Sequence, residues 1–257
     1  MERSSLDEAH FIREKLGESG SSFQKYRRLT IGNGSVLTLI KYELITCLFG
    51  PIPGALGLFL RGIFFPLLFR RCGKKAVFGR NVTIRNAQNI TIGDNVFIDD
   101  DTVIDGRGAE DSVFSIGNNT LVGRYAMILS KVGPLSIGDN CNVGSYAMIV
   151  SQGGVTVQDW VQIAGRVEIS GGLFKVSTEE REGYPLDRET KGPIVIGERT
   201  YLGSGAIIID GVKIGKKCQI GAGSVVIEDL KDYSVFVPRP GMLIARIKAS
   251  ETEPPAG

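Results

Sequence analysis

Proton-transfer chemistry needs a group that can exchange a proton near neutral pH, and the chain offers few. Its single histidine, His10, lies in a polar N-terminal stretch. Carboxylates gather between Ser177 and Lys191, where Glu179, Glu180, Glu182 and Asp187 share one charged run. A carboxyl group whose pKa is raised by burial can act as a base, although such a polar run reads equally well as a solvated face. Glu168 stands just before this segment, where its side chain is expected to point outward. The four cysteines, Cys47, Cys72, Cys141 and Cys218, lack the spacing of a metal site. They read as reduced packing residues of a cytoplasmic protein. No glycine opens a helix directly after a strand, so a phosphate-cradling loop lacks its context.

The element that must position these groups is a repeat of six. Between Phe78 and Val226 an aliphatic residue recurs every six positions, as in Ile92, Ile98 and Ile104, or Ile208, Ile214, Ile220 and Val226. Neither an amphipathic helix nor an alternating strand has this period. It belongs to a parallel β-helix in which short strands form three walls and branched side chains stack inside a prism. Gly, Asn and Asp beside the inward residues, as in Ile92-Gly-Asp-Asn95 and Ile137-Gly-Asp-Asn140, suit tight corners that need positive φ. The phase breaks where the interval is nine positions rather than six from Ile128 to Ile137, eight from Ile149 to Val157 and 27 from Ile169 to Ile196. The last slip predicts a protruding loop over 171–193, and long loops on rigid scaffolds are where binding and catalysis concentrate.

The chain of 257 residues divides by pattern into a polar arm (1–35), an apolar helical segment (36–75), the β-helix (76–230) and a C-terminal tail (231–257). The arm has no apolar core of a secretion signal. The uncharged stretch between Glu43 and Arg61 is 17 residues long and carries Pro51 and Pro53, which falls short of a membrane span. Two short apolar helices flanked by Lys41, Arg61, Arg70 and Arg71 have two open readings: they lie in a membrane interface, or they cap the exposed end of the solenoid. The first half reads more as membrane contact and the second more as cap. A formal charge of +2 with scattered Lys and Arg excludes a nucleic-acid stripe.

From about Phe78 to Lys248 the chain resembles the left-handed β-helix acyltransferases of the hexapeptide-repeat superfamily, in particular bacterial O-acetyltransferases of sugars and polysaccharides. The stretch from Pro193 to Ala206, continued by Gly211-Val-Lys-Ile-Gly215 and Ile220-Gly-Ala-Gly-Ser-Val-Val226, carries the resemblance. It implies an all-β fold, the left-handed sense of the coils, a homotrimer and acyl-coenzyme A, chiefly acetyl-coenzyme A, in a groove between prisms. The pantetheine arm would then run against backbone at Gly203, Ser204, Gly205 and Ala206, and at Ala222 and Gly223 one coil later. Arg239 and Arg246 would meet the coenzyme phosphates. The family's general-base histidine falls at Leu173, and leucine accepts no proton; general-base assistance is worth about 10² to 10⁴ in rate. Glu179 and Glu180 are the substitutes at hand. Val237-Pro-Arg-Pro-Gly241 replaces the family's Gly-x-Pro-Ala turn.

Two functions follow from the resemblance. One is an acyl-coenzyme A-dependent O-acyltransferase of a sugar or lipid-linked glycan precursor, cytoplasmic and placed at the inner membrane face through 36–69, without a metal. The other is a catalytically silent trimeric scaffold in a polysaccharide assembly system. The zinc carbonic anhydrases that share this fold need three imidazoles, which the repeat lacks.

Overall fold

A computed structural model describes residues 21–109, 112–176 and 186–238, with backbone alone at 173–176 and 186–189. Strands of two to four residues follow one another around three faces. The first face runs from Arg71–Cys72 to Lys213–Ile214, the second from Val77–Phe78 to Val235–Phe236, and the third from Thr83–Arg85 to Val225–Val226. Neighbouring strands within each face are parallel, and the chain visits the faces in the same order in every coil. The result is a left-handed parallel β-helix. Its core is a column: Ile92 registers with Ile116, Ile116 with Ile137 and Ile137 with Val157, and all four are fully buried.

The corners repeat with a strict division of labour. The third corner residue is left-handed in each coil, as at Asn95, Asn119, Asn140, Tyr125, Tyr146, Arg166, Gly205 and Gly223. Its amide donates to the preceding coil: Asn119 N to Asp94 O at 2.9 Å, Tyr146 N to Arg124 O at 3.0 Å, Gly223 N to Ser204 O at 2.9 Å. The glycine that opens the corner serves a different need from positive φ. A Cβ on Gly117 would come within 2.5 Å of the Gly138 carbonyl carbon in the next coil, so close stacking excludes a side chain there. Asp and Asn at the second position tie coils together, with Asn118 N donating to Asp139 Oδ1 at 2.6 Å and Asp139 N to Asp159 Oδ1 at 2.8 Å.

The solenoid extends beyond the expected 76–230 at both ends. Its first corner, Gly73-Lys74-Lys75, places Lys75 in the left-handed region, and Tyr233 does so in the last. Neither residue type advertises a corner in sequence, as Asn does elsewhere. The polar arm also holds structure: helix α1, Ser22–Ile31, starts with a capping box between Ser21 and Gln24. Helix α2 (Val36–Phe49) and helix α3 (Gly54–Phe64) follow, and a 3-10 turn at Phe65–Leu68 leads into the first strand.

These helices close the N-terminal pole. Phe65 is fully buried against Phe78, and Phe69 stacks on the same ring at 5.5 Å. Tyr42 Oη donates to Ile84 O at 2.7 Å; burial of its ring pushes its pKa up to about 12. Arg61, one of the basic flanks of the apolar helices, is turned inward, and only 1% of it is exposed. Its guanidinium donates to Phe78 O at 2.9 Å, Phe49 O at 3.0 Å, Gly50 O at 3.3 Å and Ile52 O at 2.7 Å. The carbonyls at the end of α2, which lack intrahelical partners, are thereby joined to the first coil through one cation. Desolvation lowers the Arg61 pKa from its usual value, and it remains charged throughout the physiological range.

Arg61→Met removes the buried donor shared by the Phe49, Ile52 and Phe78 carbonyls, leaving Gly50 O with the Asn81 amide, and is expected to destabilise the protein by about 3 to 5 kcal/mol. Lys41, exposed and bonded to Leu67 O at 2.8 Å, should cost less than about 1 kcal/mol as Met. Equal midpoints for the two variants in urea unfolding would contradict this account of the pole.

Candidate functional site

The expected loop at 171–193 is an arm. Leu173–Val176 pairs antiparallel with Leu186–Glu189, placing Leu173 opposite Glu189 and Lys175 opposite Asp187. The arm leaves the prism after the third-face strand Glu168–Ser170 and returns to the first-face strand Ile194–Ile196. Leu173 therefore begins the outgoing strand, immediately beyond the scaffold. Glu179, Glu180, Glu182, Arg239, Arg246 and His10 lie outside the described residues, as does the side chain of Asp187. Glu168 is half-buried on the outer row of the third face, in register with Met148 and Ile207.

The arm is held at its root by groups that the repeat pattern conceals. Asp210, 2% exposed, accepts from Thr190 Oγ1 at 3.0 Å and from the backbone amide of Lys191. Gly171 approaches so closely that a Cβ there would lie 2.9 Å from Asp210 Oδ1. On the preceding coil a Cβ at Gly153 would meet Thr190 Oγ1 at 2.1 Å, and one at Gly172 would meet Gln152 Oε1 at 1.8 Å. Gly172 itself has φ +99°. The arm thus grips both the coil before it and the coil after it. Asp210, Gln152 and Thr190 were not among the expected site residues. Their signal is positional: Asp210 follows the inward Ile208 by two residues, a place where an outward loop residue is expected and a buried carboxylate is found.

The small-residue stretch occupies the corners between the second and third faces in the two coils that follow the arm. Its members separate by role. Gly203 is buried and a Cβ on it would meet Ala222 N at 2.6 Å, so coil stacking explains it. The Ala206 methyl is wholly buried in the prism. Ser204, Ala222 and Gly223 are exposed, and Gly205 is half-buried. Gly205 and Gly223, at φ +70° and +69°, hold the left-handed corner position, and a Cβ on either would meet nothing within 4 Å. The same position in earlier coils carries Tyr125 and Tyr146, stacked at 4.9 Å, and then Arg166. The corner is therefore built up along three coils and bare along the next two.

This bare strip fits a thin linear ligand lying against backbone. Beside it the third face presents Ile207, half-buried, and Val225 and Ile227, exposed. No group of three or more potential metal ligands occurs among the described residues. The described thiols Cys72 and Cys141 are raised to about 11 by desolvation, so neither is a nucleophile at neutral pH. What the strip and arm root can do chemically is bind and orient; of the carboxylates described there, Asp210 has both oxygens engaged, and Glu168 stands half-buried in register with Ile207 on the third face.

Comparison with known proteins agrees with the coils. Residues 193–228 match the model of the bacterial transferase hexapeptide (six repeats), and residues 134–165 match the hexapeptide repeat of succinyl-transferase. No curated relative matches the chain. Among solved structures, a variant of AntD, an N-acyltransferase from Bacillus cereus in complex with dTDP and coenzyme A, is 21% identical over 74% of this chain and 88% of its own, with a TM-score of 0.47. A maltose O-acetyltransferase from Clostridium difficile 630 is 22% identical over 90% and 100%, with a TM-score of 0.39. A variant of GDP-perosamine N-acetyl transferase from Caulobacter crescentus, crystallised with coenzyme A and GDP-perosamine, is 21% identical over 68% and 57%, with a TM-score of 0.35. Two stretches of the chain, 134–165 and 193–228, thus carry hexapeptide repeats, in line with a solenoid whose faces recur every six residues.

Proposed function

We propose that the protein is an acyl-coenzyme A-dependent O-acyltransferase, acting as a homotrimer on a sugar or lipid-linked precursor of an envelope polysaccharide at the cytoplasmic face of a membrane. The observation that carries this reading is the bare corner. The left-handed position of this corner carries Tyr125, Tyr146 and Arg166 in three successive coils and glycine at Gly205 and Gly223, directly after the arm. A pantetheine chain needs close approach to backbone amides and carbonyls, and two stacked glycines supply it. Ser204, Gly205, Ala222 and Gly223 would hold the arm of the coenzyme. Arg239 and Arg246 would take its phosphates as charge-assisted donors. The outer row of the third face, with Met127, Met148, Ile207 and Val225, offers apolar surface to a neighbouring prism. Acetyl is the acyl group that the resemblance implies.

Chemistry in this reading is positional. When bound, the coenzyme supplies an activated thioester, and the protein aligns an acceptor hydroxyl with its carbonyl beside the arm root. Alignment alone can remove a large part of the barrier. Proton removal falls to a carboxylate of the arm, Glu179 or Glu180, or to the solvent. A second reading, the silent scaffold, is favoured by one specific residue: Leu173 stands where a histidine would act, and it begins the arm's outgoing strand.

Calorimetry with acetyl-coenzyme A separates the readings. Saturable binding in the micromolar range is expected for the transferase, and no heat at millimolar ligand would leave the scaffold. Gly205→Asn places a side chain in the open strip with a residue that tolerates positive φ. It should weaken coenzyme binding at least tenfold while changing stability by about 1 kcal/mol or less. Gly203→Ala should do the opposite, lowering stability by several kcal/mol through collision with the next coil. Leu173→His should raise thioester turnover by about 10² or more if the groove is functional; unchanged turnover with intact coenzyme binding would show that proton transfer is handled elsewhere.

A further inference from the structure

The helical pole keeps two apolar surfaces, and the fold uses one of them. Leu39, Ile45, Phe65 and Leu68 face the first coil and are buried. The opposite side of α2 exposes Leu37 at 77%, with Ile40, Leu44 and Leu48 about half exposed. These recur at three- and four-residue spacing, so they form one stripe. Across from it, α3 and the following turn expose Leu56, Phe59, Ile63 and Leu67, all at 48% or more. The two stripes belong to one surface. Phe49 stacks on Phe64 at 4.2 Å with rings 4° apart, and Lys41 Nζ donates to Leu67 O at 2.8 Å. Together they present on the order of 800 Å² of apolar area, more than the few hundred Å² usual on a soluble surface. A helix whose role ends at capping a solenoid turns a polar side to water. These helices do not.

Charge identifies the partner. From Ser21 to Ile92 the chain holds eleven lysines and arginines against one acid, Glu43, a formal +10 in a chain whose total is +2. Arg61 is spent on buried carbonyls, and Glu43 accepts from Tyr26 Oη at 2.5 Å. Arg70, Arg71, Lys74, Lys75 and Arg80 are exposed around the pole. A second copy docked by this face would bring two such cationic poles together, so self-association is opposed. An apolar centre with a cationic surround matches an anionic bilayer surface, where side chains enter the acyl boundary and basic groups meet phosphates. At 14 and 11 residues, α2 and α3 are about 21 and 17 Å long, and no helix among the described residues is long and apolar enough to cross a membrane. They lie on the surface.

We infer that the outer face of α2, α3 and the turn at 65–68 is an interfacial docking site for anionic phospholipid bilayers, held rigid by Arg61 and stacked on the solenoid's end. This deepens the proposed placement at a membrane and does not require the transferase reading. The test is flotation of the full-length protein with vesicles of phosphatidylcholine alone or with 30% phosphatidylglycerol, at about 0.05 and 0.5 M salt. Binding to the anionic vesicles at least tenfold above the neutral ones, reduced by salt, is expected. The triple variant Leu37→Ser, Leu44→Ser, Phe59→Ser alters exposed positions and should abolish flotation while leaving the thermal midpoint and acetyl-coenzyme A calorimetry unchanged. No flotation of the parent protein, equal flotation of the triple variant, or a parent oligomer that the triple variant dissolves without any vesicle binding would each overturn the inference. Because calorimetry reads the coenzyme strip and flotation reads the pole, either can fail while the other stands.

Discussion

Each coil is bonded to the one before it by an amide that must come from a left-handed residue, and the rest of the molecule is arranged around that bond. The corner turns because its third residue adopts positive φ, and the same residue's N–H then points down the axis at the preceding corner's carbonyl. Placing the coils that close forbids a Cβ on the glycine that opens the corner. The aliphatic column is a consequence: once the corners are in register, one residue per face must point inward and meet its counterpart at the strand spacing of about 4.8 Å. Thr120 and Thr200 show the same economy, each donating to the next coil's carbonyl while accepting from its Cys amide.

That constraint fixes backbone geometry and leaves the side chain at the third position free. After glycine, Asn is the cheapest left-handed residue, yet Tyr125, Tyr146, Trp160 and Arg166 also occupy the position. A bulky residue in strained backbone gains from what it touches: Tyr125 on Tyr146, and Arg199 over Trp160 at 5.6 Å. A Cβ on Gly205 or Gly223 would meet nothing within 4 Å. The contrast within one row of equivalent positions is what separates a candidate binding strip from ordinary corner geometry, since glycine count alone does not.

The period of six made the three faces and the column legible before any coordinates. It could not reveal why each glycine is present, because positive φ at Gly205 and close approach at Gly117 look alike in sequence. The first and last corners are harder to read, because Lys75 and Tyr233 hold positions that Asn holds elsewhere. Arg61 was legible as a charge and illegible as a buried clamp, because its partners are carbonyls from residues 49–52 and 78 that carry no side-chain signature. The arm's exit was readable from the phase slip, while its anchoring by Asp210 and Thr190 depends on contacts between residues 20 apart. Arg239, Arg246 and the arm's glutamates rest on resemblance to the family alone.

The solenoid has a direction, and direction relates the two proposed surfaces. The helical pole covers the first coil, whereas the arm leaves from the fifth third-face strand, Glu168–Ser170. Four inter-strand steps put the arm root roughly 20 Å above the first coil. With the pole on a bilayer and the axis upright, a hydroxyl at the lipid headgroup would lie too low to reach the strip at Gly205 and Gly223. An acceptor extended by several sugar units from its lipid would reach it. On the two proposals together, axial distance would select for acceptor length through the number of coils between cap and arm.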